Sequence, residues 1–554
     1  MARRRLPSPE HADTLSLNAL RSLVTGLLER AEQAEVRLAK LETENGALRE
    51  ENAELRLENT RLKAENQLLR DEIARLKNLP PRPPFRPSGM EKATDGANDK
   101  SAGKKKPRGP KLDAERVSRE EILRASVPAG SRFKGYKSCL VRDLVLAAEL
   151  VHYRRECWIK PDGKTVIAPL PAGIMGSYGP NLRRLCLILH AQGQVTTGRL
   201  TTLLNDVGIA ISKRQVVRLL AKGLDGFVAE DAAVLHAGLV SSSYVTVDDT
   251  GARHARGNSH TTQIGGEYFT VFRTSASKSR LNFLSLLRGN YKDYVLNAAA
   301  FDYLAERRAD PTLVARLRTM EPQRFCNEVP FLEYLAGKSI DIFDKQIVGV
   351  LAEAGIWGSI RHHGLVGDMV IVSDDAGQFR VGNHALCWVH AERLLQKLMP
   401  NKPKEVQSVV LVRDLVWRFY KTLKAWKQRP SPHAVQGFRR RFDKIFTMRT
   451  GYDTLDKLLE RLHRRKGELL KVLEHPGIPL HTNASENDLR TFVTKRKVSG
   501  GTISRDGRIS RDTMLGLMKT CKKLGLSFYQ YIGDRLGIDG HVVPPLAGLV
   551  AAKA

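Results

Sequence analysis

The N-terminal part of the chain repeats apolar residues at a seven-residue spacing. Leucine fills one position of the repeat, at Leu41, Leu48, Leu55, Leu62, Leu69 and Leu76. The position three residues before each leucine reads Leu38, Asn45, Asn52, Asn59, Asn66 and Ile73. In heptad notation the leucines occupy position d and the asparagines position a. Leucine at d favours a coiled coil of two helices, and buried asparagine at a fixes the register of those helices. The pattern predicts a parallel homodimeric coiled coil within residues 14–79, because a lone solvated helix has no use for the leucine stripe.

Proline ends this predicted helix. The residues after Leu79 are Pro80-Pro81-Arg82-Pro83-Pro84, and proline lacks the N–H that a further helical turn needs. Residues 80–112 are rich in Pro, Gly, Ser and Lys, which predicts a disordered basic linker. Its lysines could contact DNA phosphates without sequence preference, and a merely soluble linker explains the composition equally well.

Residues 113–235 are predicted to form a small mixed or helical region that binds DNA. An apolar cluster between Leu144 and Leu150 suggests a strand or helix, and helices are expected at about 180–206 and 213–223. The turn between these helices contains Gly208, and Ser212 is a good N-cap for the second one.

The second of these helices begins with basic residues, at Lys213, Arg214 and Arg218. Two helices joined by a glycine-containing turn are typical of the helix-turn-helix DNA-binding motif. Packed helical hairpins with basic faces give the same pattern, so both interpretations stay open.

Alternating residues then predict strands. Residues 244–248 and 268–272 alternate between polar and apolar, and the turn residues between Gly251 and Gly266 are consistent with a hairpin. Residues 368–374 form a short apolar run that ends in acid, which predicts a buried strand.

The remainder of the chain is predicted to be helical. Residues from about 400 to 475 look wholly helical and very basic, with Arg439-Arg440-Arg441 and Arg464-Arg465-Lys466. A further helix begins near Ser485. A C-terminal helical segment and tail is expected over 501–554, with helices to about residue 537 and a frayed end.

The charge balance adds a partner to this picture. Lys and Arg total 90 against 60 Asp and Glu, a formal net charge of +30. Such an excess repels itself unless it meets a polyanion, and nucleic acid is the usual one. A membrane surface is the rival partner, but no apolar run reaches about 18 residues, so no membrane span is expected. The 6 cysteines form no Cys-x-x-Cys pair, which fits a reducing intracellular compartment.

Acidic residues close two of the predicted strands. Asp248 and Asp249 end one, and Asp374 and Asp375 end the other. Carboxylates at neighbouring strand ends can converge, and their repulsion then calls for a cation. Mg²⁺ or Mn²⁺ suits oxygen ligands, and two such ions support phosphodiester chemistry. Both acidic pairs are also good turn residues, so the pattern alone does not separate the two readings.

Glu486 is the candidate for a third carboxylate. Asn483, three residues before it, makes a capping box the alternative, in which the Glu486 side chain reaches back to the start of its helix. On the following helix Glu486, Arg490 and Lys497 share a face. An acid there could bind metal while Arg490 and Lys497 meet DNA phosphates.

Several pieces of sequence, spread over nearly the whole chain, carry a family resemblance. Besides the leucine-zipper start and its proline-rich exit, they are Ile167-Ala168-Pro169-Leu170-Pro171, Val247-Asp248-Asp249-Thr250, Ser373-Asp374 with Phe379, Cys387-Trp388-Val389-His390-Ala391-Glu392-Arg393, and Asn483-x-x-Glu486-x-x-Leu489-Arg490 followed by Lys495-Arg496-Lys497. In this order they resemble the transposases of the insertion sequence 66 family, of the TnpC type. The Cys-Trp-x-His-Ala and Asn-x-x-Glu-x-x-Leu-Arg pieces are the most specific.

The resemblance implies an α/β ribonuclease H-like catalytic core over residues 240–500 with an all-helical insertion, preceded by the coiled coil and the small DNA-binding region. It implies a DDE triad of Asp248, Asp374 and Glu486 that holds two Mg²⁺ or Mn²⁺ ions. The implied activity is metal-dependent DNA cleavage and strand transfer of an insertion sequence.

The implied partners are double-stranded DNA, both element ends and target, and further copies of the chain joined through the coiled coil. No membrane is involved, and the implied location is the bacterial cytoplasm at the nucleoid. Whether accessory transposition proteins take part stays open.

The sequence departs from the family pattern at two points. Only the lone Cys139 and Cys157 stand where members usually carry a Cys-x-x-Cys zinc finger. Asp375 follows Asp374 in place of a Gly-Tyr-like turn, so Asp375 is the alternate ligand. Asp374 is preferred because it lies five residues before Phe379, as the family's second acid does before its aromatic residue. Cys387 and His390 could form half a metal site, although packing behind the active site, with Trp388 in the core, is the favoured interpretation.

Two other functions remain open at this level. A non-catalytic dimeric DNA-binding protein would use the zipper and the helices between 180 and 223. A ribonuclease H-like nuclease without joining activity would use the same metals as a transposase.

Overall fold

We describe the protein from a computed structural model. The described residues are 120–126, 128–137, 141, 143–538 and 540–554, with scattered positions between 25 and 58. The chain divides into two compact units, Met1–Pro87 and Ser88–Ala554. In the first unit the described positions are helical and exposed. The heptad leucines and asparagines, the linker at 80–112 and Cys139 lie outside the described residues, so the coiled coil stays a prediction.

The second unit opens with irregular chain and a small ribbon. Strand β1 (Cys157–Ile159) pairs antiparallel with β2 (Thr165–Ile167). Residues 143–150 form neither strand nor helix, and Leu150 is 99% exposed. The expectation of regular structure there is wrong, because these apolar residues meet no surface whose burial would offset the cost of ordering the backbone.

Three short helices follow. They are α1 (Pro180–Ala191), α2 (Thr197–Asp206) and α3 (Lys213–Ala221). The single helix expected over 180–206 is therefore two helices, since Gln194 adopts a φ of 55° and breaks the run.

A mixed sheet forms the centre of the unit. The strands after α3 are β3 (Tyr244–His254), β4 (Gly257–Gly265), β5 (Thr270–Ser275), β6 (Tyr294–Leu296), β7 (Gln323–Phe325), β8 (Val370–Ser373) and β9 (Asn383–Leu386). Within the described residues, β6 and β7 form a separate ribbon and the sheet has the order β5-β4-β3-β8-β9. The first three strands are antiparallel, whereas β8 is parallel to β3 and β9 is parallel to β8.

The predicted hairpin at 251–266 is in fact a strand between two hairpins. β4 occupies most of this stretch and pairs with both β3 and β5. Its side chains at Thr261 and Gln263 are fully buried although they are polar. The sequence therefore lacks the apolar alternation that marks a strand.

The helices after α3 pack on the faces of the sheet, on the β6–β7 ribbon or on one another. They are α4 (Asp225–Ser241), α5 (Arg280–Leu287), α6 (Ala298–Glu306), α7 (Pro311–Leu317), α8 (Glu328–Gly337), α9 (Lys345–His362), α10 (Trp388–Gln396), α11 (Pro403–Gln428), α12 (Pro432–Phe446), α13 (Asp453–Arg464), α14 (Lys466–Leu469), α15 (Asn483–Ser499), α16 (Arg505–Leu524), α17 (Phe528–Arg535) and α18 (Leu546–Lys553). The helical prediction for 400–475 is confirmed by α11 to α14. No described helix has the length and apolarity that crossing a bilayer requires.

The C-terminal end is ordered, so the frayed end predicted after residue 537 is wrong. Helix α18 packs on α4 and buries Leu546 and Val550 completely. The carboxylate of Glu230 in α4 also accepts a hydrogen bond of 3.0 Å from the Leu546 backbone N–H.

Side-chain alternation along β3 and β8 separates two cores. Val245, Val247 and Ile371 belong to the core shared with α4 and α9. Val370 and Val372 belong to a second core, which they share with α10 to α13. Because successive residues of a strand point to opposite faces, even-numbered residues of β3 and β8 face the second core.

Candidate active site

Asp248 and Asp374 lie side by side on neighbouring parallel strands. The register of β3 and β8 sets Thr246 opposite Val372. Two residues further along, Asp248 is still in β3 and Asp374 directly follows β8. Both therefore point to the sheet face that carries Val372. The structure brings these two predicted site residues together.

Helix α15 delivers Glu486 to the same sheet face. The hydroxyl of Ser485, completely buried, donates a hydrogen bond of 2.7 Å to Thr246 Oγ1. Two turns further along α15, Phe492 stacks on Phe272 of β5 at a ring separation of 5.9 Å. These contacts fix the start of α15 against β3, next to the level of Asp248.

The electrostatics of Asp248 reflect this arrangement. Burial, and then the nearby charge of Asp374, raise the pKa of Asp248 to about 7. The Asp249 backbone N–H, which donates to Asp248 Oδ1 at 2.7 Å, and the positive charge of His390 oppose the rise. A buried carboxylate beside a second carboxylate is costly, and a bound cation removes the cost.

Glu486 is held by cationic groups of α10. Arg393 donates from Nη1 to Oε1 at 3.0 Å and from Nη2 to Oε2 at 3.3 Å, a two-pronged ion pair. His390 Nε2 lies 3.6 Å from Glu486 Oε1. The capping-box alternative is wrong, because Thr482 is the N-cap of α15 and makes no side-chain cap hydrogen bond.

His390 faces the acids, while its motif neighbours are buried. Cys387 and Trp388 are each 1% exposed, in agreement with the packing interpretation. Burial opposes a charge on His390, but the interaction with the Cys387 thiol and the carboxylates of Glu486 and Asp374 raise the pKa of His390 to about 9. The imidazole therefore acts as a local positive charge among the acids.

The second residue of each acidic pair has other partners. Asp249 accepts a hydrogen bond of 2.7 Å from Gln378 Nε2. Asp375 is bound by three arginines: Arg461, Arg465 at 3.4 Å and Arg380 at 3.7 Å. Asp375 is thus neutralised by the protein itself, which favours Asp374 over Asp375 as the second acid of the implied triad.

If Asp374 is a ligand in the DDE triad that the family resemblance implies, Asp374→Asn is expected to lower metal-dependent DNA cleavage by at least ~10²-fold. Asp375→Asn makes the same change one residue away and should lower it less than about tenfold, since it weakens an ion pair with partly exposed arginines. Cleavage rates at saturating Mg²⁺ measure both. The opposite ranking would move the ligand to Asp375.

Among the described residues, no group of three or more His, Cys, Asp or Glu side chains is arranged to hold a metal ion. Asp374 is close enough to Asp248 for its charge to raise the pKa of Asp248, whereas the Glu486 carboxylate is bound by Arg393. Two of the three predicted ligands are thus poised together, and the third is adjacent but engaged.

The predicted DNA-binding residues lie on two helices. Arg490 is exposed on α15 with Nη2 3.9 Å from Glu486 Oε2, and Lys497 is exposed two turns further along. Lys213, Arg214 and Arg218 lie on α3 and are also exposed.

Sequence reasoning missed the arginines around the acids. Arg393 belongs to the Cys-Trp-x-His-Ala-Glu-Arg piece, so the signal was inside a motif already singled out. Arg461 and Arg465 come from α13 and the turn after it, 86 and 90 residues beyond Asp375 in the chain. Only the fold shows that these two reach the site.

Comparison with known proteins gives a family match over part of the chain. Residues 378–509 match the model of the Transposase IS66 family, and this stretch includes Glu486 and Arg393. The chain is also 76% identical over 321 residues to the uncharacterized protein y4jO of Sinorhizobium fredii (strain NBRC 101917 / NGR234), covering 58% of this chain and 100% of that relative. The match defines the class of protein as a transposase, for which DNA is the partner. More narrowly, the chain belongs to the IS66 family of transposases.

Proposed function

We propose that this protein is a DDE transposase that cuts and joins DNA with Asp248, Asp374 and Glu486. The observation that carries the proposal is the approach of three acids to one another: the charge of Asp374 acts on Asp248, and His390 lies within electrostatic reach of both and of Glu486. The three acids come from a central strand, from the end of the neighbouring parallel strand and from a helix more than a hundred residues later in the chain. Structural turns and caps give no reason for such a meeting.

We assign the core to the ribonuclease H-like class that the family resemblance implies. Support comes from the sheet, in which three antiparallel strands are followed by two parallel ones in the order β5-β4-β3-β8-β9. The first acid lies on the central strand and the second at the end of its parallel neighbour. The helices α11 to α14 separate these strands from the last acid, as a helical insertion would.

The donors present fit Mg²⁺ or Mn²⁺. Asp248 and Asp374 supply hard oxygen ligands, and the raised pKa of Asp248 is the signature of an uncompensated carboxylate. Bound divalent ions would activate a water or a 3′-hydroxyl and stabilise the leaving oxygen.

The chain's own residues then have separate tasks. Asp248 and Asp374 would bind the ions from fixed positions on the sheet. Glu486 joins them when its carboxylate leaves Arg393, whose guanidinium would then bind a DNA phosphate in its place. Arg490 and Lys497, on the same side of α15, bind phosphates further along the strand.

DNA is held by a larger basic surface and by pairing of two chains. The insertion exposes Arg440, Lys444 and Arg464, and the linker adds lysines. The coiled coil would join two copies, so that two element ends are handled together in the cytoplasm. Contacts of these basic side chains with phosphates hold the DNA backbone without reading the base sequence.

The test is cleavage of duplex DNA that carries an end of the element, with Mg²⁺ or with a chelator. We expect cleavage by the wild type with Mg²⁺ alone, and Glu486→Gln should lower the rate at least ~10²-fold through loss of a metal ligand. Glu333→Gln, the same substitution on the exposed face of α8, is the matched control and should cut normally. Cleavage by Glu486→Gln at the wild-type rate would contradict the proposal.

The same reaction separates joining from hydrolysis. A transposase transfers the cut end into a second duplex and gives a branched or integrated product. Cleavage without any such product would identify a nuclease instead, and DNA binding without cleavage would identify a non-catalytic DNA-binding protein.

A further inference from the structure

The exposed face of α3 is basic around an apolar centre. Lys213, Arg214, Val217 and Arg218 are exposed, with Val217 at 40%, whereas Val216, Leu219 and Leu220 on the opposite side are buried. Their spacing puts the four exposed residues on one side of the helix. Within the described part of the chain, none of the three basic side chains has an ion-pair partner. Their charge is thus available to an anionic ligand.

The turn before α3 is rigid. Asn205 at the end of α2 bonds the Ile211 backbone in both directions, accepting from its N–H and donating to its carbonyl, each at 3.2 Å. Gly208 takes a φ of 89° in this turn, a conformation that favours glycine. At the start of α3, Ser212 and Gln215 form a capping box. The angle between α2 and α3 is therefore fixed by hydrogen bonds.

The opposite end of α3 is anchored in the protein. The guanidinium of Arg183, a residue only 6% exposed, donates to three carbonyls at this end: Lys222 at 2.6 Å, Gly223 at 2.9 Å and Leu219 at 3.3 Å. A cation at this position also favours the helix dipole. Ser510 of α16 donates to the Leu220 carbonyl at 2.6 Å. Since α16 packs on β5, the helix pair is tied to the catalytic sheet.

We propose that α2 and α3 form a helix-turn-helix in which α3 reads the major groove of duplex DNA. The N-terminal half of a recognition helix contacts base edges, and here that half is the exposed, basic one. Arg214 and Arg218 suit guanine, Val217 suits a thymine methyl group, and Lys213 suits a phosphate. Gln215 takes no part because its side-chain oxygen is used in the capping box. This assigns sequence recognition to a surface separate from the acids, and it does not depend on their chemistry.

The experiment is selection of preferred sequences from a randomised duplex DNA library by the full-length protein. We expect the wild type to enrich a defined sequence. Arg214→Ala and Arg218→Ala should each lose preference at a base position and bind the enriched sequence about 5- to 100-fold more weakly, with little change on random DNA. Lys345→Ala, which removes an exposed charge from the start of α9, should select the wild-type sequence. Matching circular dichroism and thermal unfolding would show that the variants are folded.

Each alternative outcome decides the matter. If both arginine variants enrich the wild-type sequence with wild-type selectivity, or if the wild type enriches none, α3 is not a reading helix. Equal competition by duplex RNA of the enriched sequence would also overturn the proposal, because the deep, narrow groove of RNA does not admit a helix. Asp248→Asn should enrich the same sequence without cutting it. Failure of catalysis is therefore distinguishable from failure of recognition.

Discussion

Asp248→Asn is expected to abolish DNA cleavage and, at the same time, to make the metal-free protein more stable. The substitution removes a proposed ligand to the ions, which should cost at least ~10³-fold in rate. It also removes a carboxylate whose pKa is raised to about 7 by burial and by Asp374. An asparagine oxygen can still accept the 2.7 Å hydrogen bond from the Asp249 N–H. The amide thus keeps the local structure without the buried charge.

The stability gain should depend on pH in a defined direction. The carboxyl of Asp248 has an ordinary pKa of 3.8 and a folded-state pKa of about 7. Between these values the folded chain keeps a proton that the unfolded chain has released, so metal-free wild type loses stability as pH rises through this window. Above about pH 7 the loss is complete, and Asp248→Asn should then be about 1–3 kcal/mol more stable. Thermal unfolding with a chelator at pH 4.5 and pH 8 measures the difference.

The change in unfolding temperature on adding Mn²⁺ or Mg²⁺ tests whether Asp248 binds metal. Binding to the folded state should raise the unfolding temperature of the wild type and leave Asp248→Asn unchanged. Asp249→Asn is the matched control, since this neighbouring carboxylate bonds Gln378 and should leave the metal response intact. A variant at 248 that still cuts DNA, or still gains stability from metal as the wild type does, contradicts the assignment.

Local patterns were enough to find the two strand acids. The apolar residues before Asp248 and Asp374 mark two buried strands, and Asp374 directly follows β8 as predicted. The prediction that Asp248 ends its strand is wrong, because β3 continues to His254 through its pairing with β4. The sequence also identified the start of α3, because the serine at 212 caps a helix by a local hydrogen bond. In each case the decisive interaction lies within a few residues of chain, where periodicity and capping rules apply.

The rest of the site depends on contacts between distant segments, which no local pattern contains. The ion pair of Arg393 with Glu486 spans 93 residues, and it overrides the capping box that the spacing of Asn483 and Glu486 suggests. Strand β4 was missed because burial of Thr261 and Gln263 breaks the usual link between polar residues and the surface. Helix α18 was missed since its order comes from packing on α4 rather than from its own short sequence.

Trp388→Ala is expected to destabilise the protein by about 3–5 kcal/mol, the usual cost of emptying a buried aromatic position. Trp388 is 1% exposed, and its indole N–H donates to the Leu469 carbonyl at 2.9 Å. Its ring contacts Phe419, Tyr420, Phe442 and Phe446, which come from α11 and α12. The substitution therefore leaves a cavity where the insertion meets the sheet, and it orphans a buried carbonyl. Urea unfolding curves measure the loss.

The same substitution should affect chemistry, because Trp388 is the first residue of the helix that carries His390 and Arg393. Loosening α10 would release the two cations that hold Glu486, so cleavage should fall at temperatures where the variant is still folded. Trp417→Ala is the matched control: this tryptophan lies in α11, is only partly buried and contacts Tyr420 alone among the aromatic rings of the described residues. Trp417→Ala should lower the free energy of unfolding by about 1–2 kcal/mol, less than emptying a fully buried site, and should leave the cleavage rate unchanged. Equal losses for the two variants would mean that Trp388 is ordinary packing and not the anchor of the site.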